Sequence, residues 1–477
     1  MADPGPIRFI LELDLARQEG KNRKELLALY DAQDIAGLRA WIDRHLGTAN
    51  LPYRIVELPS LAPRFVQAED RPLFREDGAA PVPERLVFGL WAADEPTVRR
   101  FERLALDKGE ELAADARIGA FDSWCPGEGW PPLFATRARA EALIGAAALS
   151  GRSPPLKGAR VNVVVVDDGL SVARLRQLFP GLRYAGGWRL RRLGEPDRLP
   201  GAGRPDGHGT MVARNLLSLA PEARLFDLPM LPDRIRRVPA YIGWAHGVLS
   251  WVQWQIRLWR AAHQFARDPW VFCHAWGIYD RRSETVPGAY TNNPRHPFNR
   301  RVGLMDQDGH DQVFAAGNCG QFCPNARCGP GDRGPGESIL GANSHPRVLT
   351  VGAVRADGLW LGYSSQGPGQ EGFLEEAPRD ARQVEKPDLC APSHFVEAAD
   401  GHALSSGTSA ACGLAAGAVA ALRSAPKLAG LDPEKLRALL RDRACRPAGA
   451  GWDPRLGHGI LDLRRMVAHL AAEGLLP

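Results

Sequence analysis

The sequence has no apolar run of about 18 residues, the length a membrane-spanning helix needs. It is poor in lysine: 7 of its 60 basic residues are Lys and the rest are Arg. Neither sign of charge is in excess, and a net charge of +5 spread over 477 residues is too dilute to argue for nucleic acid. Cysteine is scarce, with 8 in the chain. The opening MADPGPIRFILELDLARQEG lacks the basic start and apolar core of an export signal. These absences argue against a disulfide framework and against nucleic-acid or membrane partners, and lead to the expectation of a soluble, cytoplasmic protein. There is no internal repeat and no low-complexity tract.

A hydrophobic content of 44% and a charged content of 24% are those of an ordinary globular protein, and the length implies two or three domains. The charge is unevenly placed. Residues 1–130 carry 17 basic and 23 acidic residues, and the remainder carries 43 and 32. An acidic front part and a basic back part attract one another, subject to salt screening.

Residues 1–112 read as a small α+β domain. RFILELDL alternates as a strand does, and RKELLALYDAQDIAGLRAWIDRHL has helical spacing through Leu26, Leu27, Tyr30, Ile35, Leu38, Trp41 and Ile42. YRIVELP and RLVFGLWA are short strands, and EPTVRRFERLALD is a second helix with Pro96 at its start. The β-α-β-β-α order suggests a two-layer, ferredoxin-like unit. Residues 113–158, rich in Gly, Pro and Ala around WCPGEGWPP, read as a linker. From 159 to 477 the pattern changes. VNVVVV is a continuous β-branched run, as expected of a strand buried on both faces, and further strands alternate with helical stretches. The expected fold is therefore α/β, a doubly wound and mostly parallel sheet carrying a small α+β N-terminal domain.

Four short motifs fall where such a sheet places its active site, at the carboxyl ends of strands. They are Asp167-Asp168-Gly169, Asp206-Gly207-His208-Gly209-Thr210, Ala315-Ala316-Gly317-Asn318 and Ser406-Gly407-Thr408-Ser409-Ala410-Ala411. Taken singly, each is an ordinary turn or helix cap. Their order in one α/β domain points to a single reaction. A serine hydroxyl is a weak nucleophile and needs a base, which His208 supplies to Ser409. A carboxylate on the far imidazole nitrogen fixes the tautomer, and Asp167 supplies it. The Asn318 amide and the Ser409 backbone N–H provide donors for an oxyanion.

At these residues the chain resembles the subtilisin-like serine proteases, the subtilases. VVVVDDGL resembles the family's Asp segment, with Asp168 in the Ser/Thr place. GHGTMVA resembles the histidine helix, AAGN the oxyanion segment and GTSAA the serine segment, with Ala410 in place of Met. The likeness covers roughly residues 155–465. It implies a serine endopeptidase with the triad Asp167, His208 and Ser409, the oxyanion residue Asn318, and a protein or peptide as substrate. It also implies a substrate-pairing edge at Ala275, Trp276 and Gly277 within PWVFCHAWG, where an extended peptide adds as a strand. His274 and Trp276 are bulky for that region and suggest a narrowed cleft.

No cofactor is required. Calcium sites occur in the family, but no acidic cluster defines one here. Residues 1–112 have the size and pattern of the family's prodomain, which docks in cis and restrains the protease; a sensor domain is the alternative. A catalytically silent peptide-binding module of the same fold and acyl transfer to an amine (ligation or cyclisation) are the other functional readings.

The chain departs from the family in three stretches. Residues 281–311 replace much of the expected helix before the oxyanion strand, 188–204 extend the connection before His208, and 319–346 form a long insertion. The last contains Cys319, Cys323 and Cys328. Plain thiols, a disulfide between two of them, and a metal site all remain open, although the spacing matches no common zinc pattern and no fourth ligand is evident.

Overall fold

The computed structural model describes residues 7–58, 64–68, 84–120, 135–191, 198–232, 240–263, 265, 268–284, 288–397, 403–447 and 450–476. The front part is a four-stranded antiparallel sheet in the order Tyr53–Glu57, Arg85–Ala92, Ile7–Asp14, Glu111–Ala114. Side chains alternate across it. Phe9, Leu11 and Leu13 face the helices Gly20–Asp31, Ile35–Leu46 and Glu95–Leu106, in one core. Ile10, Val87 and Ala113 face the other way, into a core shared with the helix Ile242–Ala261. Both faces are buried, so apolar residues stand on both sides of the first strand, and its charged Arg8 and Glu12 are paired with Asp115 and His246.

The single long helix expected from residue 23 is two helices. Gln33 turns the chain at a φ of 54°, and the Asp34 carboxylate accepts from Gly37 N at 3.0 Å, capping the second. The fourth strand, Glu111–Ala114, runs across the boundary expected at 112. Nor are residues 113–158 plain linker. They contain the strand Arg117–Ala120 and the helices Arg137–Ile144 and Ala147–Ser150, while WCPGEGWPP lies outside the described residues.

The main sheet has eight strands, in the order Leu389–Pro392, Leu349–Val354, His310–Ala315, Trp270–His274, Asn162–Asp167, Arg224–Pro229, Arg183–Arg189, Arg64–Gln67. The first seven are parallel. The eighth comes from the front part of the chain and runs antiparallel. Val163 to Val166 are fully buried because helices cover both faces, and each contributes about 1.5–3 kcal/mol of burial free energy. On one face the helices His208–Leu219 and Gly407–Arg423 pack together; on the other lie Ile242–Ala261 and Pro297–Gln307. That last helix corrects the expectation for residues 281–311. Pro297 starts it, and Phe298, Val302 and Met305 bury one of its faces, so the stretch before the oxyanion strand does form a helix.

No helix is long and apolar enough to cross a membrane among the described residues.

Candidate active site

Asp167 is the last residue of its strand, at the carboxyl edge of the sheet, and it is fully buried. The helix His208–Leu219 begins at the histidine itself. Its cap, Gly207, has no side chain to offer, so the first backbone N–H groups need another acceptor. Asp168 provides it: its carboxylate accepts from His208 N at 3.2 Å and from Gly209 N at 2.7 Å. Gly209 is what allows so close an approach. A Cβ there would lie 2.7 Å from Gly169 O and 3.0 Å from the Asp167 Cβ. The result is a 2.7 Å contact between His208 Nδ1 and Asp167 Oδ1. Asp167 Oδ1 also accepts from Asp168 N at 2.8 Å.

The two neighbouring carboxylates therefore do different work. Asp167 faces the imidazole and Asp168 caps the helix. Burial, and then the charge of Asp167, push the Asp168 carboxyl up to about 7. A third carboxyl, Asp227, accepts from Leu170 N at 3.1 Å and Gly201 N at 2.7 Å beneath the same turn, and burial pushes it to about 7 as well.

Ser409 is the third residue of the helix Gly407–Arg423. Gly407 opens that helix at a φ of 71°, a conformation that suits glycine. The Ser409 hydroxyl donates to the Ala275 carbonyl at 3.1 Å. Asn318 is fixed by the residue preceding the serine: its Oδ1 accepts from Thr408 N and from Thr408 Oγ1, each at 3.0 Å. Thr408 Oγ1 in turn accepts from Gly317 N at 3.1 Å. With its oxygen so engaged, Asn318 Nδ2 is a buried donor with no acceptor among the described residues.

The edge expected at Ala275, Trp276 and Gly277 is a strand, Trp276–Ile278, and it is paired. Residues 117–120 of the same chain lie antiparallel on it, Trp276 opposite Ala120, Gly277 opposite Gly119 and Ile278 opposite Ile118. The other side of that segment pairs with Ala240–Tyr241. Asn343, which the sequence did not single out, holds the edge in register with the strand His310–Ala315 by donating to Trp276 O at 3.0 Å and Ala315 O at 2.8 Å. His274 and Trp276 do not narrow a cleft. His274 stacks on Phe314 at 4.2 Å, and Trp276 packs on Phe298 at 5.7 Å, both rings buried in the core.

The cysteine loop is disulfide-bonded. Cys319 is joined to Cys328, and Cys323 is also in a disulfide. Among the described residues no three His, Cys, Asp or Glu side chains come together as metal ligands.

The sequence model of the subtilase family (Peptidase S8) matches residues 194–459, more than half of the chain, with His208, Asn318 and Ser409 inside the match. The chain belongs to the subtilase family. The match begins after the Asp167 strand. Among solved structures, this subtilase is similar to fervidolysin from Fervidobacterium pennivorans, a keratinolytic enzyme related to subtilisin. The two are 15% identical with a TM-score of 0.54, covering 98% of this chain and 62% of that one, a likeness of fold. MycP1 from Mycobacterium smegmatis is 19% identical over 74% of this chain and 90% of its own, with a TM-score of 0.43. A search of curated proteins gave no match.

Proposed function

We propose that the chain is a serine endopeptidase in which Ser409 attacks a peptide carbonyl and forms an acyl-enzyme, restrained in this form by its own front part. His208 takes the serine proton and passes it to the leaving amine. Asp167 holds the imidazole tautomer and stabilises the imidazolium. Asn318 Nδ2 and the backbone N–H at the start of the serine helix receive the oxyanion. The observation that carries this reading is the 2.7 Å bond between Asp167 and His208, formed at the sheet edge where the unspent Asn318 donor also lies.

The restraint rests on residues 117–120 lying as a strand on Trp276–Ile278, where an extended substrate would add. Contacts of the front sheet with the body hold that segment in place. Glu12 meets His246 at 2.6 Å, the Asp115 carboxylate accepts from Gly243 N at 2.8 Å, and Arg8 lies over the Tyr241 ring. The Cys319–Cys328 bond favours an oxidising compartment over the cytoplasm.

Fluorophosphonate labelling of the purified full-length chain beside Ser409→Ala, read by intact mass, tests the reading. Slow labelling of the wild type alone, faster once the front part is displaced or cut, is the expected result. No labelling in either condition would leave a silent peptide-binding module as the better account.

A further inference from the structure

The long insertion after Asn318 has no part in the chemistry above, yet it is built with care around one contact. Cys319 and Cys328 close it into a ring of ten residues beside the oxyanion asparagine. Asn325 N donates back to Asn318 O at 2.9 Å, and Gly329 N ties the far end to Tyr279 O at 2.8 Å. Arg281 N then donates to the Asp332 carboxylate at 2.9 Å, anchoring the following turn. Within the ring, Asn325 Oδ1 accepts from Arg327 N at 3.0 Å and from Arg327 Nε at 3.1 Å, which aims the guanidinium.

The target is a backbone carbonyl. Arg327 Nη2 donates to Ala120 O at 3.1 Å and to the Tyr279 hydroxyl at 2.7 Å, while the guanidinium lies 4.1 Å from the centroid of the Tyr279 ring. The Tyr279 hydroxyl donates to the same Ala120 O at 2.7 Å. Two donors thus converge on both lone pairs of one oxygen, and the cation polarises the phenol that shares it. Ala120 is the residue opposite Trp276 on the substrate-pairing edge.

On the reading of this cleft as a peptidase site, we propose that Tyr279 and Arg327 are substrate-binding residues that clamp the backbone carbonyl of whichever extended chain lies opposite Trp276. The ligand is a peptide backbone of any sequence, because a carbonyl is what the two donors hold. The front segment fills the clamp in this structure, and a substrate strand replaces it there. The disulfide ring ties Arg327 to the oxyanion asparagine that precedes it, and the Gly329–Tyr279 bond ties the ring to the other half of the clamp, which fixes the register of the bound chain relative to Ser409.

Hydrogen exchange read by mass spectrometry on full-length Ser409→Ala, in which cleavage cannot interfere, tests the clamp on the occupant already present. Adding Tyr279→Phe or Arg327→Ala should speed exchange across 117–120 about three- to tenfold, the loss of one or two net hydrogen bonds, with Val163–Val166 unchanged. Tyr279→Phe keeps the ring and its packing, so a fold defect does not confuse the result. Unchanged exchange in both variants would overturn the proposal.

A second measurement uses the active full-length chain and a peptide whose carbonyl opposite Trp276 is replaced by a thioamide, a weaker acceptor. The substitution should raise KM for the wild type and raise it less for Tyr279→Phe, in which Arg327 alone still holds the carbonyl. An equal penalty in both proteins would also overturn the clamp. A chain that hydrolyses no peptide at all would instead defeat the peptidase reading and leave the exchange result standing.

Discussion

The two banks of the cleft are built differently. On the catalytic bank, Asp167, His208, Asn318 and Ser409 stand at the ends of strands or the starts of helices; Asp167, His208 and Asn318 are held by contacts among the four motifs, and Ser409 donates to the Ala275 carbonyl. On the opposite bank lies a segment held by partners far away in sequence: Ile242 N to Ala116 O, Tyr279 and Arg327 to Ala120 O, and Glu12 to His246. The first bank is rigid because buried secondary structure leaves it no alternative. The second is a docked strand secured by polar contacts, and such contacts release when a partner is lost or titrated. This contrast fits the proposed restraint, in which the machinery is preformed and access is what changes.

The catalytic bank breaks most severely at Asp167. Asp167→Asn keeps the shape of the side chain but favours the wrong imidazole tautomer, and should lower kcat for peptide hydrolysis about 10⁴-fold. The drop should appear in single-turnover acylation as well as in the steady state. A loss below tenfold would mean that the bond to His208 is structural only.

Asn318→Ala comes next, at about 10²–10³ in kcat with KM little moved, the size expected of one donor used only when the oxyanion forms. Because Asn318 Oδ1 also receives the two Thr408 donors, Asn318→Asp separates the roles: it keeps the acceptor and loses the donor. Equal losses in the two variants would assign the effect to the missing Nδ2 donor. A much milder Asp variant would assign it to the Thr408 contacts.

The occupied bank should yield to Glu12. This carboxylate is buried, which taken alone raises its pKa, yet the ion pair with His246 and the charges of Arg85 and Arg301 outweigh burial and hold it below the ordinary range. A carboxylate with a depressed folded pKa stabilises the docked form above its unfolded pKa, near 4.5. That contribution is lost as the pH falls through the folded value, so docking should weaken in acid. Glu12→Gln at neutral pH removes one partner of a buried pair. Gln still offers the imidazole a hydrogen-bond partner, so the cost should stay below the roughly 3–5 kcal/mol of a stranded charge. Exchange across 117–120 about 10- to 100-fold faster, together with faster fluorophosphonate labelling, is the expected outcome. Exchange unchanged by Glu12→Gln would show that apolar contacts alone hold the segment.

The catalytic bank was legible in sequence and the occupied bank was not, for one physical reason. VNVVVV announces a strand buried on both faces, and the Asp-Gly, His-Gly-Thr, Gly-Asn and Gly-Thr-Ser motifs each encode a local turn or helix start. The four candidate residues could therefore be named from local signals. The strand at 117–120 has only RIGA to declare it; Arg64–Gln67 is as short and Ala240–Tyr241 shorter still. What makes them strands is the unpaired edge each one meets in the folded chain, and no local pattern carries that. The same holds for Asn343, whose partners lie on other elements. The disulfide was one of three open readings, because spacing alone does not bring Cys319 and Cys328 together. One consequence bears on experiments: excising residues 1–112 cuts through the strand Glu111–Ala114 and strips the antiparallel strand from the main sheet, so it is not a clean test of restraint.

The smallest effect should come from Asp168, and it sharpens the comparison within the catalytic bank itself. Its carboxyl is pushed up to about 7 by burial and by Asp167, so the folded chain holds a proton there that the unfolded chain, with a pKa near 3.8, does not. Between those values the native state binds more protons than the unfolded state, and stability must fall as the pH rises through this window. Asp168→Asn keeps an acceptor for one of the two N–H groups that begin the histidine helix and abolishes the titration. Its Tm should be slightly below the wild type at pH 4–5, where one capping contact is missed, and equal or higher at pH 8, where the wild type carries two adjacent buried carboxylates. The slope of Tm against pH between 4 and 7 should flatten. If it stayed as steep as in the wild type, the proton would belong elsewhere in the turn, and Asp227, raised to the same value beneath it, would be the group to substitute next.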